Sequence, residues 1–193
     1  MEVRKGKEKK KRRVAWGITG SGDKLLETFE VMRKIRIKYQ NEVEIRAYLS
    51  KAGEQVAKYY KLAGDLREQF KVLVEINSNS PFLAGQLQRG AYDFFLIAPA
   101  TSNTVAKIST GIADSLISNA AIMGLKAFIP VYVMPSDYRE GIIVTKLPNG
   151  QDLKLRIRKE DVSHVERLKG MDDVHVLEKP ENVFQVFKKC FSS

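Results

Sequence analysis

One apolar stretch constrains the fold of this chain more than any other feature. Residues 93–98 read DFFLIA, so that five apolar residues follow Asp93 without interruption. Such runs are typical of strands that are buried on both faces, as in parallel sheets covered by helices. The chain from Val14 onward agrees, because short apolar runs alternate with longer amphipathic stretches. The pattern predicts a three-layer α/β/α fold with a mainly parallel sheet between helices.

The boundaries of the predicted elements follow from the same alternation. Five strands are predicted for the sheet, at residues 14–18, 43–49, 72–76, 93–98 and 129–134. Helices are predicted at residues 24–38, 51–61, 81–88, 103–109 and 114–125, the first of them capped by Asp23. After Pro135 the pattern predicts a hairpin, 142–146 and 153–158, around the Asn149-Gly150 turn. A polar helix (159–168), a strand (174–177) and a last helix from Pro180 complete a small C-terminal elaboration.

The positive charge of the chain is concentrated near its N-terminus. The formal net charge is +10, and residues 1–13 alone hold eight Lys or Arg and two Glu. This segment has almost no apolar side chain to bury, so it is predicted to be a disordered basic tail. Two interpretations stay open for it: a solubilising extension, which the composition favours, or an arm for nucleic acid or another acidic partner. Residues 14–193 are predicted to form a single domain, with 137–193 as the C-terminal elaboration.

The counts of cysteine and histidine exclude several kinds of site. Cys190 is the only cysteine, so the chain cannot form an internal disulfide, a CxxC zinc site or a four-thiolate iron–sulfur cluster. With only His164 and His175 beside it, no metal site is expected. No apolar run reaches the roughly 18 residues of a membrane span, and none resembles a signal peptide. A reducing, cytoplasmic location is therefore expected.

Three strand ends carry the candidate binding residues. Open parallel sheets bind ligands at the carboxyl ends of their strands, and residues 17–22 (GITGSG), Ser50 and residues 98–104 (APATSNT) follow three such strands. A glycine-rich turn that opens a helix suits a phosphate group, and a tight strand–helix turn explains it equally well. The glycine spacing does not fit GxGxxG, and Asp23-Lys24 stands where a Walker A loop has Lys-Ser/Thr. A kinase or a nucleotidase is therefore disfavoured.

Together, these segments resemble a family of flavoproteins. Residues 15–22 (AWGITGSG), 49–56 (LSKAGEQV), 93–119 and 131–137 (VYVMPSD) carry the resemblance. The family includes phosphopantothenoylcysteine decarboxylases, lantibiotic-peptide cysteine decarboxylases and flavin prenyltransferases. Membership implies a Rossmann-like fold with FMN between the strand ends. It also implies homo-oligomers, trimers or multiples of them, with the flavin near a subunit interface.

The resemblance further implies which residues contact FMN. Thr19, Gly20 and Ser21 would hold the phosphate together with Ser50. Residues after the buried strand would line the ribityl chain and the flavin ring: Pro99, Thr101, Ser102, Asn103 and Thr104. Lesser contacts are expected from Ser115 and Met134.

The chain departs from the decarboxylases of this family in two places. Those enzymes use a histidine in the region of residues 78–84, where this chain has none. They also use a cysteine in a flexible clamp near the C-terminus, whereas Cys190 lies in a predicted amphipathic helix, where a packed thiol is expected. Decarboxylation of a cysteine is therefore not expected.

Two stretches, 15–20 (AWGITG) and 81–87 (PFLAGQL), resemble archaeal flavoproteins and dihydromethanopterin reductases instead. This resemblance implies an FMN-dependent electron carrier or oxidoreductase that accepts electrons from a ferredoxin or another acidic iron–sulfur protein. An FMN-dependent pterin reductase is the alternative, and a nucleic-acid-binding protein with a basic tail is a remote one. No residue is expected to act as a general acid or base, because flavin carries the redox chemistry.

Overall fold

A parallel sheet forms the centre of this chain in a computed structural model, which describes residues 11–191. Eight strands lie within those residues: β1 (Arg12–Ile18), β2 (Val43–Leu49), β3 (Lys71–Val74), β4 (Phe94–Ala100), β5 (Val131–Pro135), β6 (Gly141–Lys146), β7 (Asp152–Ile157) and β8 (Val174–Val176). Six of them form the parallel sheet, in the order β3-β2-β1-β4-β5-β8. The other two, β6 and β7, form a separate antiparallel hairpin.

Helices cover both faces of the sheet. They are α1 (Leu25–Lys38), α2 (Lys51–Tyr59), α3 (Ala63–Gln69), α4 (Leu83–Gln88), α5 (Ser102–Thr110), α6 (Leu116–Leu125), α7 (Lys159–Lys169) and α8 (Glu181–Phe191). Apolar side chains of α1, α2, α3 and α8 pack on one face, and those of α4, α5, α6 and α7 pack on the other. The predicted three-layer, Rossmann-like α/β fold with a C-terminal hairpin is therefore confirmed.

The central position of β4 explains its unbroken apolar sequence. All seven of its residues are buried. Phe94 and Leu96 belong to the core on the side of α1 and α8, whereas Phe95 and Ile97 belong to the core on the side of α5 and α6. Because successive side chains of a strand point to opposite faces, both cores require apolar residues from the same short segment. The prediction of a strand buried on both faces is confirmed.

The first strand begins earlier than the charge pattern indicated. Arg12 and Arg13, which were assigned to the basic tail, are part of β1. Arg12 forms an ion pair with Asp93 at 2.8 Å, and Arg13 forms one with Glu44 at 3.1 Å. These carboxylates flank β1 and allow two cationic residues to enter the sheet. Residues 1–10 and 192–193 lie outside the described residues, so the disordered tail stays a prediction for residues 1–10.

Three further details differ from the sequence predictions. Asp23 does not cap α1; the helix follows Lys24, whose backbone is left-handed (φ 59°) and whose side chain makes no capping hydrogen bond. The short helix α3 was not predicted at all. Strand β4 continues through Pro99, with a cis peptide bond after Ala98.

Within residues 11–191, no helix is both long enough and apolar enough to cross a membrane.

Candidate functional site

The carboxyl ends of β1, β4 and β5 are tied together by small hydroxyl side chains. Thr19 follows β1, and its hydroxyl donates to Pro99 O at 3.0 Å and accepts from Thr101 N at 2.8 Å. Ser136 follows β5, and its hydroxyl donates to Ser21 Oγ at 2.6 Å. Thr19, Ser21 and Ser136 are all buried, so these hydrogen bonds fix the strand ends relative to one another.

Glycines allow the loop after β1 to approach α2 closely. We call residues 19–24 the first loop. A Cβ atom on Gly20 would lie 2.7 Å from Ala52 Cβ, and one on Gly22 would lie 2.4 Å from Tyr60 Oη. A Cβ atom on Gly53, in the first turn of α2, would lie 2.4 Å from a carbonyl oxygen of β1. At Gly53 the obstacle is a backbone atom and at Gly20 it is the Cβ of Ala52, so glycine at these two positions keeps the first loop in direct contact with α2.

Ser50 lies between β2 and α2 and caps the helix. Its hydroxyl accepts from Gly53 N at 2.9 Å, and its own N–H donates to Ile18 O at 3.0 Å. Within residues 11–191, the proton of this hydroxyl has no hydrogen-bond acceptor, so it is free to bind an external anion. The first turn of a helix also favours negative charge. Ser50 therefore combines its structural role as a cap with an available donor.

A cleft of about 450 Å³ lies at these strand ends. We call it the strand-end cleft. On one side it is lined by the first loop and by the start of α5; on the other it is lined by one face of the β6–β7 hairpin. The lining residues from the loop and from α5 are Gly20, Ser21, Gly22, Asp23, Thr101, Ser102 and Asn103. Those from the hairpin region are Ile143, Thr145, Leu147, Leu153 and Leu155. Small polar groups therefore face an apolar wall across a space of the size typical of ligand sites.

Asp23 and Lys24, the two charged residues of the first loop, differ in their hydrogen-bond partners and in the direction of their pKa shifts. Burial raises the pKa of the Asp23 carboxyl, and the neighbouring Lys24 ammonium opposes this shift. Burial lowers the pKa of Lys24, whose Nζ donates to Pro135 O at 2.9 Å, to Glu178 O at 3.2 Å and to Ser136 O at 3.3 Å. These three carbonyl groups engage the ammonium, so Lys24 connects the first loop to the ends of β5 and β8. The ammonium of Lys24 is therefore directed to these carbonyl groups, whereas Asp23 lines the cleft.

Glu75 joins the starts of two helices. One carboxylate oxygen accepts from Lys51 N in α2 at 3.0 Å, and the other accepts from Leu116 N in α6 at 2.8 Å. A carboxylate is favoured at a helix N-terminus, and here one side chain serves two of them. Ser115, the cap of α6, is thereby held in a fixed relation to α2.

The structure separates the residues expected to contact a cofactor into three groups. Five of them line the cleft: Gly20, Ser21, Thr101, Ser102 and Asn103. Five others border it or lie beneath it, or cap a neighbouring helix: Thr19, Ser50, Pro99, Thr104 and Ser115. Met134 is fully buried among core residues on the side of α1 and α8 and does not line the cleft. Whether these residues bind a cofactor stays a prediction.

Several lining residues were not found from the sequence. Asp137 accepts a short hydrogen bond from the Ser102 hydroxyl. Tyr59 and Tyr60 lie at the end of α2, and Leu153 and Leu155 belong to β7. The alternating pattern of the hairpin was recognised, but the surface that it covers could not be inferred.

Within residues 11–191, no group of three or more His, Cys, Asp or Glu side chains could hold a metal ion.

Comparisons with known proteins agree on one family. The family model described as Flavoprotein matches residues 2–182. An uncharacterized protein of Methanocaldococcus jannaschii is 50% identical and aligns over 92% of this chain and 95% of its own length. A protein named dihydromethanopterin reductase (acceptor), from Methanosarcina mazei, is 38% identical over 74% of this chain and 62% of its own.

A solved structure extends the comparison to three dimensions. DmrB of Burkholderia xenovorans, described as a cubic protein cage for redox transfer and solved in complex with FMN, matches with a TM-score of 0.79. The two chains are 33% identical, and the match covers 94% of this chain and 96% of that one. The family model covers nearly the whole chain, and this chain has the same fold as DmrB. The chain therefore belongs to the flavoprotein family.

Proposed function

We propose that this protein is an FMN-dependent redox protein that accepts electrons from an acidic, ferredoxin-type iron–sulfur protein. The observation that carries the proposal is the chemistry of the strand-end cleft. Polar donors of the first loop and of α5 lie opposite the apolar face of the β6–β7 hairpin. FMN is itself divided into a charged phosphate, a polar ribityl chain and a flat aromatic ring system, so it matches this division.

The phosphate end of FMN fits the region of the first loop and Ser50. Within residues 11–191, the N–H groups of Gly20 and Gly22 donate to no acceptor, and the Ser50 hydroxyl retains a free proton. Backbone N–H groups together with a helix N-terminus form a suitable anion site. Thr19 has a different role, because its hydroxyl is already engaged in both directions between the strands. Its contribution is to hold the loop in place.

The ring end of FMN fits between α5 and the hairpin. Leu153 and Leu155 are 37% and 44% exposed although they belong to the cleft-facing side of the hairpin. An aromatic ring placed against them would bury apolar surface, which favours binding by about 25 cal/mol per Å². Pro99 and Thr101 would support the ring from the side of β4. When bound, FMN supplies the redox chemistry, and these residues bind it and exclude water.

A ferredoxin-type donor is supported by cysteine count and by charge. With Cys190 as the only cysteine, the chain cannot hold an iron–sulfur cluster of its own, so one-electron reduction requires an external protein. Residues 14–193 still carry an excess of four basic over acidic side chains. Ferredoxins are usually acidic, so this excess favours their approach.

A pterin reductase is the second candidate, and one relative favours it. The Methanosarcina mazei protein named dihydromethanopterin reductase is 38% identical to this chain. The cleft also offers carboxylates, Asp23 and Asp137, that could accept hydrogen bonds from the N–H groups of a pterin. Steady-state turnover of dihydromethanopterin with reduced FMN protein separates the two candidates, since an electron carrier would not consume the pterin.

A homo-oligomer, a trimer or a multiple of it, is part of the proposal. Ile76, Phe82 and Phe128 are large apolar residues that are more than two-thirds exposed in the single chain. Large exposed apolar side chains favour burial against another subunit. The cubic cage described for DmrB also supports an assembly. Analytical ultracentrifugation of the purified protein tests it, and a stable monomer would contradict it.

Absorption spectroscopy followed by anaerobic reduction tests the central proposal. The purified protein, or the protein incubated with FMN, should show the visible bands of bound flavin. Reduced ferredoxin should then bleach these bands, and the rate should fall as the salt concentration rises, because opposite charges are screened. Protein that takes up no FMN would refute the cofactor assignment. FMN protein that dithionite reduces and ferredoxin does not would refute the donor alone.

The nucleic-acid alternative is tested by truncation. Because β1 begins at Arg12, the deletion should stop at residue 10 so that the sheet remains intact. If nucleic-acid binding is the function, the shortened protein should lose it while its flavin content is unchanged.

A further inference from the structure

The β6–β7 hairpin has two faces with different surroundings. Its register pairs Ile143 with Leu155 and Thr145 with Leu153, and these four residues line the strand-end cleft. In an antiparallel hairpin, paired residues lie on the same face, and the neighbouring pairs lie on the opposite face. The three pairs that alternate with them, Ile142 with Arg156, Val144 with Lys154 and Lys146 with Asp152, therefore form the outer face. One side of this two-stranded ribbon covers the cleft, and the other side faces away from it.

The outer face combines exposed apolar side chains with positive charge. Ile142 and Val144 are 62% and 60% exposed. Lys146 lies 4.0 Å from Asp152. Lys154 and Arg156 form no ion pair with an acidic side chain within residues 11–191. Two neighbouring β-branched side chains therefore lie beside two cations that form no ion pair among the described residues. The combination suits the surface of an acidic protein that also offers some apolar area.

The ribbon is held in position across the cleft at both ends. Near its tip, the Tyr60 hydroxyl donates to Lys146 O at 3.3 Å, which connects the hairpin to the end of α2. At its base, Ile157 is buried. A partner that binds the outer face therefore meets a surface that is connected to the wall of the cleft.

We infer that the outer face of the β6–β7 hairpin is the docking site of the acidic electron donor. The inference rests on the proposed function, because it assigns the partner of the same cleft to a surface. A protein bound to this face is separated from the cleft by one two-stranded ribbon, and stacked sheets lie about 10 Å apart. The apolar pair supplies contact area, and Lys154 and Arg156 attract and orient a negatively charged surface.

The charge of the outer face also argues against a two-fold contact between copies of this chain. In a two-fold symmetric contact, the same surface meets itself. Lys154 and Arg156 of one copy would then approach the same cations of the other, which is unfavourable. An acidic partner faces no such repulsion, so the charge favours the donor over a two-fold contact, and the native mass of the variants tests contacts of other symmetry.

Stopped-flow reduction of the FMN-loaded protein by a reduced, acidic 2[4Fe–4S] ferredoxin tests the inference. The variant K154E/R156E reverses the two unpaired charges and leaves the cleft-facing residues unchanged. At low salt its second-order rate constant for reduction should fall by about tenfold or more, since electrostatic steering changes association rates by that amount. The variant I142S/V144S should also react more slowly, with the salt dependence of the wild type. FMN content and the rate of reduction by dithionite should be unchanged in both.

A matched control separates docking from overall charge. Lys34 in α1 and Lys126 after α6 are exposed, and both lie toward the opposite end of the sheet from the cleft. The variant K34E/K126E has the same net charge as K154E/R156E, and its reduction by ferredoxin should fall by far less. Equal losses in the two variants would mean that net charge alone matters and would overturn the inference.

The other outcomes are distinct from one another. If ferredoxin reduces the wild type and both hairpin variants at the same rate, the donor docks elsewhere. If the hairpin variants change the native mass of the protein, the outer face is a subunit contact. If dithionite reduces the wild type but ferredoxin does not, the proposed donor is wrong and the docking site is wrong with it. Protein without FMN would instead refute the proposed cofactor.

Discussion

The two ends of the parallel sheet both carry cavities, and their sizes are similar. At the amino ends of the strands lie cavities of about 510 and 470 Å³, whereas the strand-end cleft at the carboxyl ends has about 450 Å³. Volume therefore does not distinguish the functional end. The difference lies in the groups that line the cavities and in how firmly those groups are held.

At the amino end, the polar groups are long charged side chains that pair with one another. Arg12 pairs with Asp93, and Glu44 accepts from both Arg13 and Arg46. At the carboxyl end, the donors are backbone N–H groups and short hydroxyls held by glycine contacts and buried hydrogen bonds. Fixed donors lose little conformational entropy when a ligand binds, whereas long side chains must first be ordered. The comparison therefore indicates the carboxyl end as the ligand site.

The largest effect is expected from Gly53→Ala. The added Cβ would lie 2.4 Å from Ile18 O, a backbone atom that cannot move alone, so α2 must shift away from β1. The free energy of unfolding should fall by about 3 kcal/mol, at the upper end of the usual cost of overpacking. The same shift separates Ser50 from the first loop, so bound FMN should be lost. Chemical denaturation and the flavin absorbance of the purified variant measure the two effects.

Gly85→Ala is the control for this substitution. Gly85 lies in α4, and an added Cβ would have no neighbour within 4 Å. Alanine is the better helix former, so stability should stay the same or rise by up to about 1 kcal/mol. Its FMN content should equal that of the wild type. If both glycine variants lose FMN, the close contact at Gly53 is not the cause.

A smaller effect is expected from Ser50→Ala. Loss of the cap should reduce the free energy of unfolding by about 1 kcal/mol. Loss of a hydrogen bond to a charged phosphate costs about 1.5–3 kcal/mol, so the Kd for FMN should rise at least tenfold. Fluorescence titration with FMN and with riboflavin measures this, and the change should be confined to FMN. An equal loss of affinity for riboflavin would mean that Ser50 does not contact the phosphate.

Asp161→Ala provides the matched cap variant away from the cleft. Asp161 accepts hydrogen bonds from Arg158 N and from its guanidinium, and these bonds lower the pKa of the Asp161 carboxyl. Its contribution to stability is therefore present above the usual pKa near 3.8 and is lost as pH falls through the lowered value. The variant should lose about 1 kcal/mol of stability at neutral pH, with no change in FMN affinity.

Much of the fold could be predicted from local patterns, because the period of apolar residues reports burial directly. The run at residues 93–98 indicated a strand between two cores, and Asn149-Gly150 indicated the hairpin. The boundaries of strands and helices were harder to predict where contacts with residues distant in the sequence determine them. Arg12 and Arg13 look like part of a tail until Asp93 and Glu44, on neighbouring strands, are known to face them.

The candidate site was predictable on one side only. The first loop and residues 101–103 have distinctive sequences, and the structure brings them together at one cleft. The opposite wall comes from the hairpin, whose alternating apolar residues indicate two faces without showing what either face covers. Thr19 illustrates another limit: the sequence does not show that its hydroxyl also joins two strand ends, by a hydrogen bond to Pro99 O and one from Thr101 N.

A modest, pH-dependent effect is expected from Asp23→Asn. Burial raises the pKa of the Asp23 carboxyl, so the folded protein holds this proton to a higher pH than the unfolded chain does. Ionisation in the folded state therefore costs stability as pH rises from the usual value near 3.8 through the raised one. At neutral pH the asparagine variant should be at least as stable as the wild type. It should also bind FMN a few-fold more tightly, because one negative charge of the first loop is removed.

The pH profile of FMN affinity checks this prediction. The second ionisation of the phosphate, near pH 6, affects both proteins equally. The ratio of their Kd values therefore isolates the titration of Asp23. This ratio should grow as pH rises and then become constant once Asp23 is fully ionised. A constant ratio at every pH would show that the charge of Asp23 does not act on the ligand.

The smallest effect is expected at the amino end, from Asp93→Ala. Asp93 accepts from Arg12 Nε and from Arg13 N, each at 2.8 Å, and the side chain of Arg12 is half exposed. Exposed ion pairs contribute about 0–1 kcal/mol, so the loss of stability should stay within that range. High salt should reduce the difference further, because it screens the pair in the wild type. FMN affinity and the rate of reduction should be unchanged, since the sheet separates this pair from the cleft. Loss of FMN from this variant would show that the two ends are coupled through β1, and the contrast between them would then no longer locate the site.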